Sequence, residues 1–181
     1  MFDHRDSLED LNKQLPLKDK LTSAHRSIKE KFDFIARIAI TLYDPETRVL
    51  KTYLDSSGDD KPLKHYQALI DDAPSLNEIL NVGRPRVVNK LVTFDKGTQE
   101  HTKRIARQGY ASSYTIPMFH SGEFVGFLFF NSYESDVFTE KVLSEIDVYA
   151  HLVSLMIINE LATLKIMDAA LKTTRHFTHL R

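Results

Sequence analysis

The 181-residue chain contains no cysteine. That absence excludes a disulfide framework, a thiolate nucleophile, a cysteine-ligated zinc or iron–sulfur centre, and any cofactor attached through a thioether. Glycine and proline are sparse, at 6 each, too few for a long disordered or collagen-like stretch. Neither charge is in excess: 24 Lys and Arg stand against 25 Asp and Glu. A dedicated nucleic-acid binder needs a cationic surplus for phosphate contacts, so no nucleic-acid partner is expected. No apolar run approaches the ~20 residues that cross a bilayer. The opening Met1–Asp6 is polar and charged, unlike a signal peptide. These features predict a cytoplasmic chain without a membrane segment.

Catalytic signatures are missing as well. The sequence has no Gly-x-Ser-x-Gly elbow and no Walker phosphate loop. None of its eight histidines shares zinc-like spacing with another ligand-forming residue. No catalytic residue and no metal site are therefore expected, and the chain is expected not to be an enzyme.

What is present is a core-forming composition, 42% hydrophobic, in a length that suits one domain with extra helix at its ends. Leu8, Leu11 and Leu15, then Leu21, Ala24, Ile28 and Phe32, keep helical spacing, interrupted at Pro16. Residues 34–43 alternate, and Val49–Asp55 follows the Asp44-Pro-Glu-Thr47 turn as the second arm of a hairpin. Residues 63–70 read as a short helix. Ser75-Leu-Asn-Glu78 has the form of a capping box opening a helix that Gly83 ends. Residues 98–108 read as a basic helix. Two strands follow, at 110–119 and 124–132; the second has apolar residues in both phases, as in a strand buried on both faces.

Phe138-Thr139 opens a helix of about 40 residues, far beyond the usual 11–12. Ile146, Ala150, Val153, Ile157, Glu160, Leu164, Met167 and Leu171 recur at alternating intervals of four and three. That is a heptad, with Glu160 its polar exception, and it predicts a parallel coiled coil and hence a homodimer through the terminal helices. Packing of the same stripe along its own domain is the competing reading.

The order of elements is that of an α+β domain, a central antiparallel sheet flanked by helices, with long N- and C-terminal helices. Three segments carry a resemblance to GAF domains over about residues 20–162. They are the Phe34–Tyr53 hairpin, the Ser75–Asn89 stretch with its Gly83-Arg-Pro85, and Gly109-Tyr-x-Ser-x-x-x-x-Pro117 followed by Gly122, Gly126 and Phe138-Thr139. The chain then divides into an N-terminal helical segment, 1–33, a GAF-like sensory domain, 34–162, and a truncated signalling helix, 163–181.

The resemblance implies a PAS-like sensor, with a pocket between the sheet and the short helices and terminal helices that carry the response. It implies a small-molecule ligand contacted by Phe94, His101, Arg104, Ile105, Ser112, Tyr114 and Phe129, with Arg104 as the anchor for an anionic group. A thiol-attached bilin is excluded. The cyclic-nucleotide subgroup's Asn-Lys-x-x-Phe-Asp-Glu pattern is not met by Asn89–Asp95, where the gaps differ and the Glu is missing. The ligand stays unnamed. The closing stretch through His176 and Arg181 resembles the lead-in to an HD-GYP phosphodiesterase, an effector that would act on cyclic di-GMP and whose catalytic centre is not in this chain. The alternative is a ligand-free dimerisation module that only positions effectors.

Overall fold

The computed structural model describes residues 3–57, 67–91 and 108–178, with side chains of the last stretch to Met167. Its centre is one six-stranded sheet of β1 (Arg37–Asp44), β2 (Val49–Asp55), β3 (Gln67–Leu69), β4 (Arg86–Val88), β5 (Ser112–His120) and β6 (Glu123–Ser132). The spatial order is β3-β2-β1-β6-β5-β4, and every neighbouring pair is antiparallel. As the apolar run of residues 124–130 predicts, β6 is central. Phe127 and Phe129 face one side, Leu128 and Phe130 the other, and all four are buried.

Helices α1 (Leu17–Lys31) and α3 (Glu140–Thr178) cover one face, and α2 (Pro74–Val82) packs on the other. Pro16 precedes the first residue of α1 and marks the predicted break. The segment before it forms only a short 3-10 turn, Glu9–Asn12, instead of the expected helix. That segment is tied down by Ser23 Oγ donating to Asp10 Oδ2 at 2.9 Å and Ser27 Oγ donating to Ser7 O at 3.1 Å. An aromatic run joins α1, β1 and α3. Phe32 meets Phe34 and Tyr149 edge-on, and Phe34 meets Phe138 in the same way, with centroids 6.0–6.2 Å apart.

Two further local expectations need correction. Residues 67–69 form β3 and 70–72 a 3-10 turn, not helix; the 63–66 part of that expectation, like residues 98–107 of the basic helix expected over 98–108, lies outside the described residues. Pairing of Gln67–Leu69 with Val49–Lys51 outweighs the local helical spacing. Ser75 does not cap α2, because Pro74 already occupies the first turn and Ala73 is the N-cap, leaving the Ser75 hydroxyl buried without a partner among the described residues. The α3 start does behave as expected: Thr139 Oγ1 accepts from Val142 N at 3.4 Å, and buried Phe138 lies in the same cluster as Leu143.

The heptad of α3 is corrected in its first half. Ile146, Ala150, Val153 and Ile157 are buried in the chain's own core, against α1 and the sheet. They are not available to a second chain. Leu164 and Met167 are exposed where the helix extends past that core, and the side chain of Leu171 lies outside the described residues.

Candidate functional site

The two sheet faces differ in chemistry. Toward α1 and α3 the strands present Ile38, Ile40, Tyr114, Ile116, Met118, Leu128 and Phe130, a continuous apolar layer. Toward α2, the register places one row of Arg37 on β1, Asn131 on β6, Ser113 on β5 and Val88 on β4. The next row runs Asp55, Ala39, Phe129, Thr115 and Arg86, across β2, β1, β6, β5 and β4. Side chains in register share a face, so these rows form one patch, polar at this end and apolar further on at Phe127, Leu50, Leu76 and Ile79.

Arg37 is the unusual member. It is 3% exposed, so its guanidinium is withdrawn from water. Among the described residues its acidic partner is Asp55, with Nη2 at 4.0 Å from Oδ2, and Nη1 donates a long hydrogen bond, 3.4 Å, to Gln108 Oε1. Its Nε has no partner among the described residues. Asp55 is itself engaged elsewhere, accepting from the backbone N–H of Ser57 at 3.0 Å and from the Ser57 hydroxyl. A buried cation so loosely neutralised among the described residues is costly to the fold.

The surroundings are hydrogen-bonding groups. Asn131 Nδ2 donates to Ser113 Oγ at 3.0 Å, and both residues are buried. Tyr110, also buried, stacks on Tyr133 with centroids 4.8 Å apart. Its hydroxyl is pushed up to about 12, first by burial and then by its hydrogen bond with Tyr133, so it stays a neutral donor at physiological pH. Arg86, half-buried, ends the second row three strands from β1, or about 14 Å at the usual strand spacing. The patch thus carries a guanidinium near each end with hydroxyl, amide and aromatic groups between them. Groups of these kinds can hydrogen-bond an anionic or acceptor-rich small molecule.

Of the residues predicted to contact a ligand, Phe94, His101, Arg104 and Ile105 lie outside the described residues. The remaining three are not brought together. Phe129 is in the patch, next to Thr115. Tyr114 and Ser112 alternate with Ser113 and Thr115 and so point to the other face, toward the helices. Ser112 Oγ donates to Glu134 O at 2.6 Å. Tyr114 OH donates to Asp147 Oδ1 on α3 at 2.5 Å, and burial followed by that hydrogen bond raises its pKa. The residues that sequence reasoning missed are Arg37, Asp55, Ser113, Thr115 and Asn131. A signal was available: in the alternating strand 34–43, Arg37 stands between Ile35 and Ala39 on its face, a charge flanked by apolar residues.

Asn89, part of the stretch compared above with the cyclic-nucleotide pattern, has a structural task. Its side chain donates to Phe138 O at 3.1 Å and accepts from Phe138 N at 3.2 Å, clamping the end of β4 to the entry of α3.

No protein-family model matches the sequence, and no curated protein matches it significantly. Solved structures do. The phycocyanobilin-bound GAF domain of a cyanobacterial phytochrome aligns at TM-score 0.61 and 18% identity, over 83% of this chain and 91% of that one. The GAF domain of an Acinetobacter phosphoenolpyruvate-protein phosphotransferase aligns at TM-score 0.64 and 12% identity, over 88% and 92%. A GAF domain/HD domain protein from Geobacter sulfurreducens aligns at 0.61 and 13%, over 81% and 95%. Identities this low speak to architecture alone, and at that level the result is clear: the chain has the GAF fold.

Proposed function

We propose that this chain is the non-catalytic sensory domain of a longer cytoplasmic signalling protein, and that it binds a small molecule bearing an anionic group on the α2 face of the sheet. The observation that carries the proposal is the buried Arg37 guanidinium, incompletely neutralised among the described residues. Arg37 would take the anionic group, Ser113, Asn131 and Thr115 would supply hydrogen bonds, and Phe129 would pack against the body of the ligand. A bilin held as a thioether does not fit, since the chain has no thiol.

Transmission would run through β5. Ser113 and Thr115 face the site, while Tyr114 between them holds Asp147 of α3 from the other side. A ligand that binds one setting of β5 better than another biases α3 by that difference in affinity and no more. The effector we favour is an HD-GYP phosphodiesterase, supported by the closing sequence through His176 and Arg181 and by the likeness to the Geobacter GAF/HD protein.

The test is Arg37→Met, with melting of parent and variant against a panel of carboxylates, phosphates and nucleotides. A ligand at 100 times its dissociation constant raises the parent's stability by about 2.7 kcal/mol. Arg37→Met should abolish that shift while leaving the unliganded domain as stable or more so, because an ill-paired buried charge is replaced by an apolar chain of similar length. If Arg37 is instead half of a structural ion pair, its loss costs about 3–5 kcal/mol and the proposal fails. No shift with any anion in the panel favours the ligand-free module.

A further inference from the structure

We infer that a cavity at the open edge of β5 binds a small ammonium compound with a compact apolar body, held by the carboxylate of Asp147. The cavity has a volume of about 240 Å³. It exists because β4 is short. β4 pairs only with Ser113–Thr115, so among the described residues the stretch Ile116–His120 of β5 has no neighbour on that side. Pro85, just before β4, forms one wall. Ile116, Pro117 and Phe119 of β5 form the second, and Asp147 and His151 of α3 the third. An apolar cavity of about 150 Å³ takes up benzene, so this one has room for a ring and a short side arm. None of its walls belongs to the patch around Arg37.

Charge selects the occupant. Asp147 is half-buried, and its Oδ1 accepts from Tyr114 OH at 2.5 Å. Among the described residues no Lys, Arg or His forms an ion pair with it. Among them, too, no Lys or Arg lines the cavity, and Pro85 and Pro117 have no backbone N–H, so an anion finds few donors there. An ammonium brings donors and no acceptor. Asp147 takes one N–H as a charge-assisted hydrogen bond, and His151, one turn along α3, has an acceptor nitrogen for a second in its neutral form. The apolar body then rests on Ile116, Pro117 and Phe119. Phe119 is 45% exposed, so covering its ring adds apolar burial. The bound ammonium touches the same carboxylate that ties β5 to α3, and it reaches that tie from the helix side without passing through the Arg37 patch.

The probe is benzylammonium chloride, and the control is benzoate, a similar ring with the opposite charge. In calorimetry the parent should bind benzylammonium saturably and benzoate at least about tenfold more weakly. Asp147→Asn keeps an oxygen for Tyr114 but loses the charge. It should weaken benzylammonium binding about tenfold or more, the loss expected for one charged hydrogen bond. Phe119→Ala, at an exposed position, should also weaken binding while leaving the circular-dichroism spectrum unchanged. In amide NMR spectra of the parent, the shifts should centre on residues 83–85, 116–119 and 147–151. The inference is overturned if benzylammonium does not bind saturably, if benzoate binds as tightly, or if a folded Asp147→Asn binds like the parent. It is equally overturned if the shifted amides centre on Arg37 and Asn131. Should Asp147→Asn fail to fold, Phe119→Ala and the NMR map decide: binding untouched by Phe119→Ala, or shifts elsewhere, refutes the site. Arg37→Met should leave benzylammonium binding unchanged, so this site and the sensing proposal fail separately.

Discussion

Gly126 is the position where the fold tolerates least. It sits in β6 opposite Leu42 of β1, and a Cβ there would overlap the carbonyl oxygen of Thr41 and come within 2.9 Å of Thr41 C and 3.0 Å of Leu42 Cα. All three are backbone atoms, which no rotamer change can move. Adding a methylene where side chains can yield costs about 1–3 kcal/mol. Relief here requires β1 and β6 to part, weakening ladder hydrogen bonds worth about 1 kcal/mol each. We therefore expect Gly126→Ala to cost at least about 3 kcal/mol, a large share of the 5–15 kcal/mol that holds a typical domain. Gly83 and Gly122 are the controls. Both have positive φ, +66° and +83°, yet a Cβ at either meets nothing within 4 Å. Their alanine variants lose only the backbone preference, about 1–2 kcal/mol. Equilibrium urea unfolding of the three variants gives the ranking directly, with unchanged slopes expected. If Gly126→Ala costs no more than Gly122→Ala, the close approach of β1 and β6 is wrong as described.

Asn89→Ala removes both hydrogen bonds that hold Phe138, leaving a buried residue's backbone groups unmatched; a loss of about 1–3 kcal/mol in urea unfolding is expected, and a neutral result refutes the clamp. His25 is buried with Nε2 donating to Ile35 O at 2.8 Å, and burial, with help from Lys29, lowers its pKa below 6.5. The unfolded chain then takes up this proton first, so stability falls as pH drops through about 6.5, with a slope of at most about 1.4 kcal/mol per pH unit. His25→Gln should flatten that part of the stability–pH curve, and an unchanged curve would assign the acid sensitivity to another group. Tyr114→Phe should cost about 1.5–3 kcal/mol, nearer the lower figure because Asp147 can still reach water; an identical melting curve would show that the bond to α3 is idle.

The strands and the long helix were legible because each is governed by a strong local rule. Pro16, Gly83 and Thr139 fix helix ends through backbone geometry, and the double-phase apolar run of residues 124–130 admits no place but the middle of a sheet. The site was less legible, for a reason of parity. Ser112 and Tyr114 are one residue out of phase with Ser113 and Thr115, and only the pairing of β5 with β6 decides which pair faces α2. The same ambiguity affected α3, where Val148, Leu155 and Ala162 repeat every seven residues on the side opposite Ile146, Val153 and Glu160. Spacing alone cannot say which is core. The burial of Ile146, Ala150, Val153 and Ile157 settles it and leaves Val148, Leu155 and Ile166 outward. β3 was misread because three residues carry too little period to separate helix from strand, and a neighbouring edge decided the matter.

The two faces of the sheet therefore hold different kinds of energy. On the helix side nearly every polar group is matched, as at Tyr114 with Asp147 and Ser112 with Glu134 O, and the rest is close-packed apolar surface. On the α2 side, Arg37 Nε, Thr41 Oγ1 and Ser75 Oγ are buried without partners among the described residues. A fold selected only for stability would fill such positions with apolar residues, each unmatched group costing about 1–3 kcal/mol. All three lie on the face where the proposed ligand would bind, and a ligand that satisfied them would gain the hydrogen bonds they leave unmade. The face that is left wanting shares β5 with the face that is fully matched. A shift at Ser113 and Thr115, restrained on their own side by the bond from Asn131 Nδ2 to Ser113 Oγ, would be passed along β5 to Tyr114 and Asp147 on the other. Asp147 immediately precedes Val148, where the exposed strip of α3 begins. The arrangement puts the α2-side patch and the outward face of α3 one strand apart, the shortest route this topology offers between them.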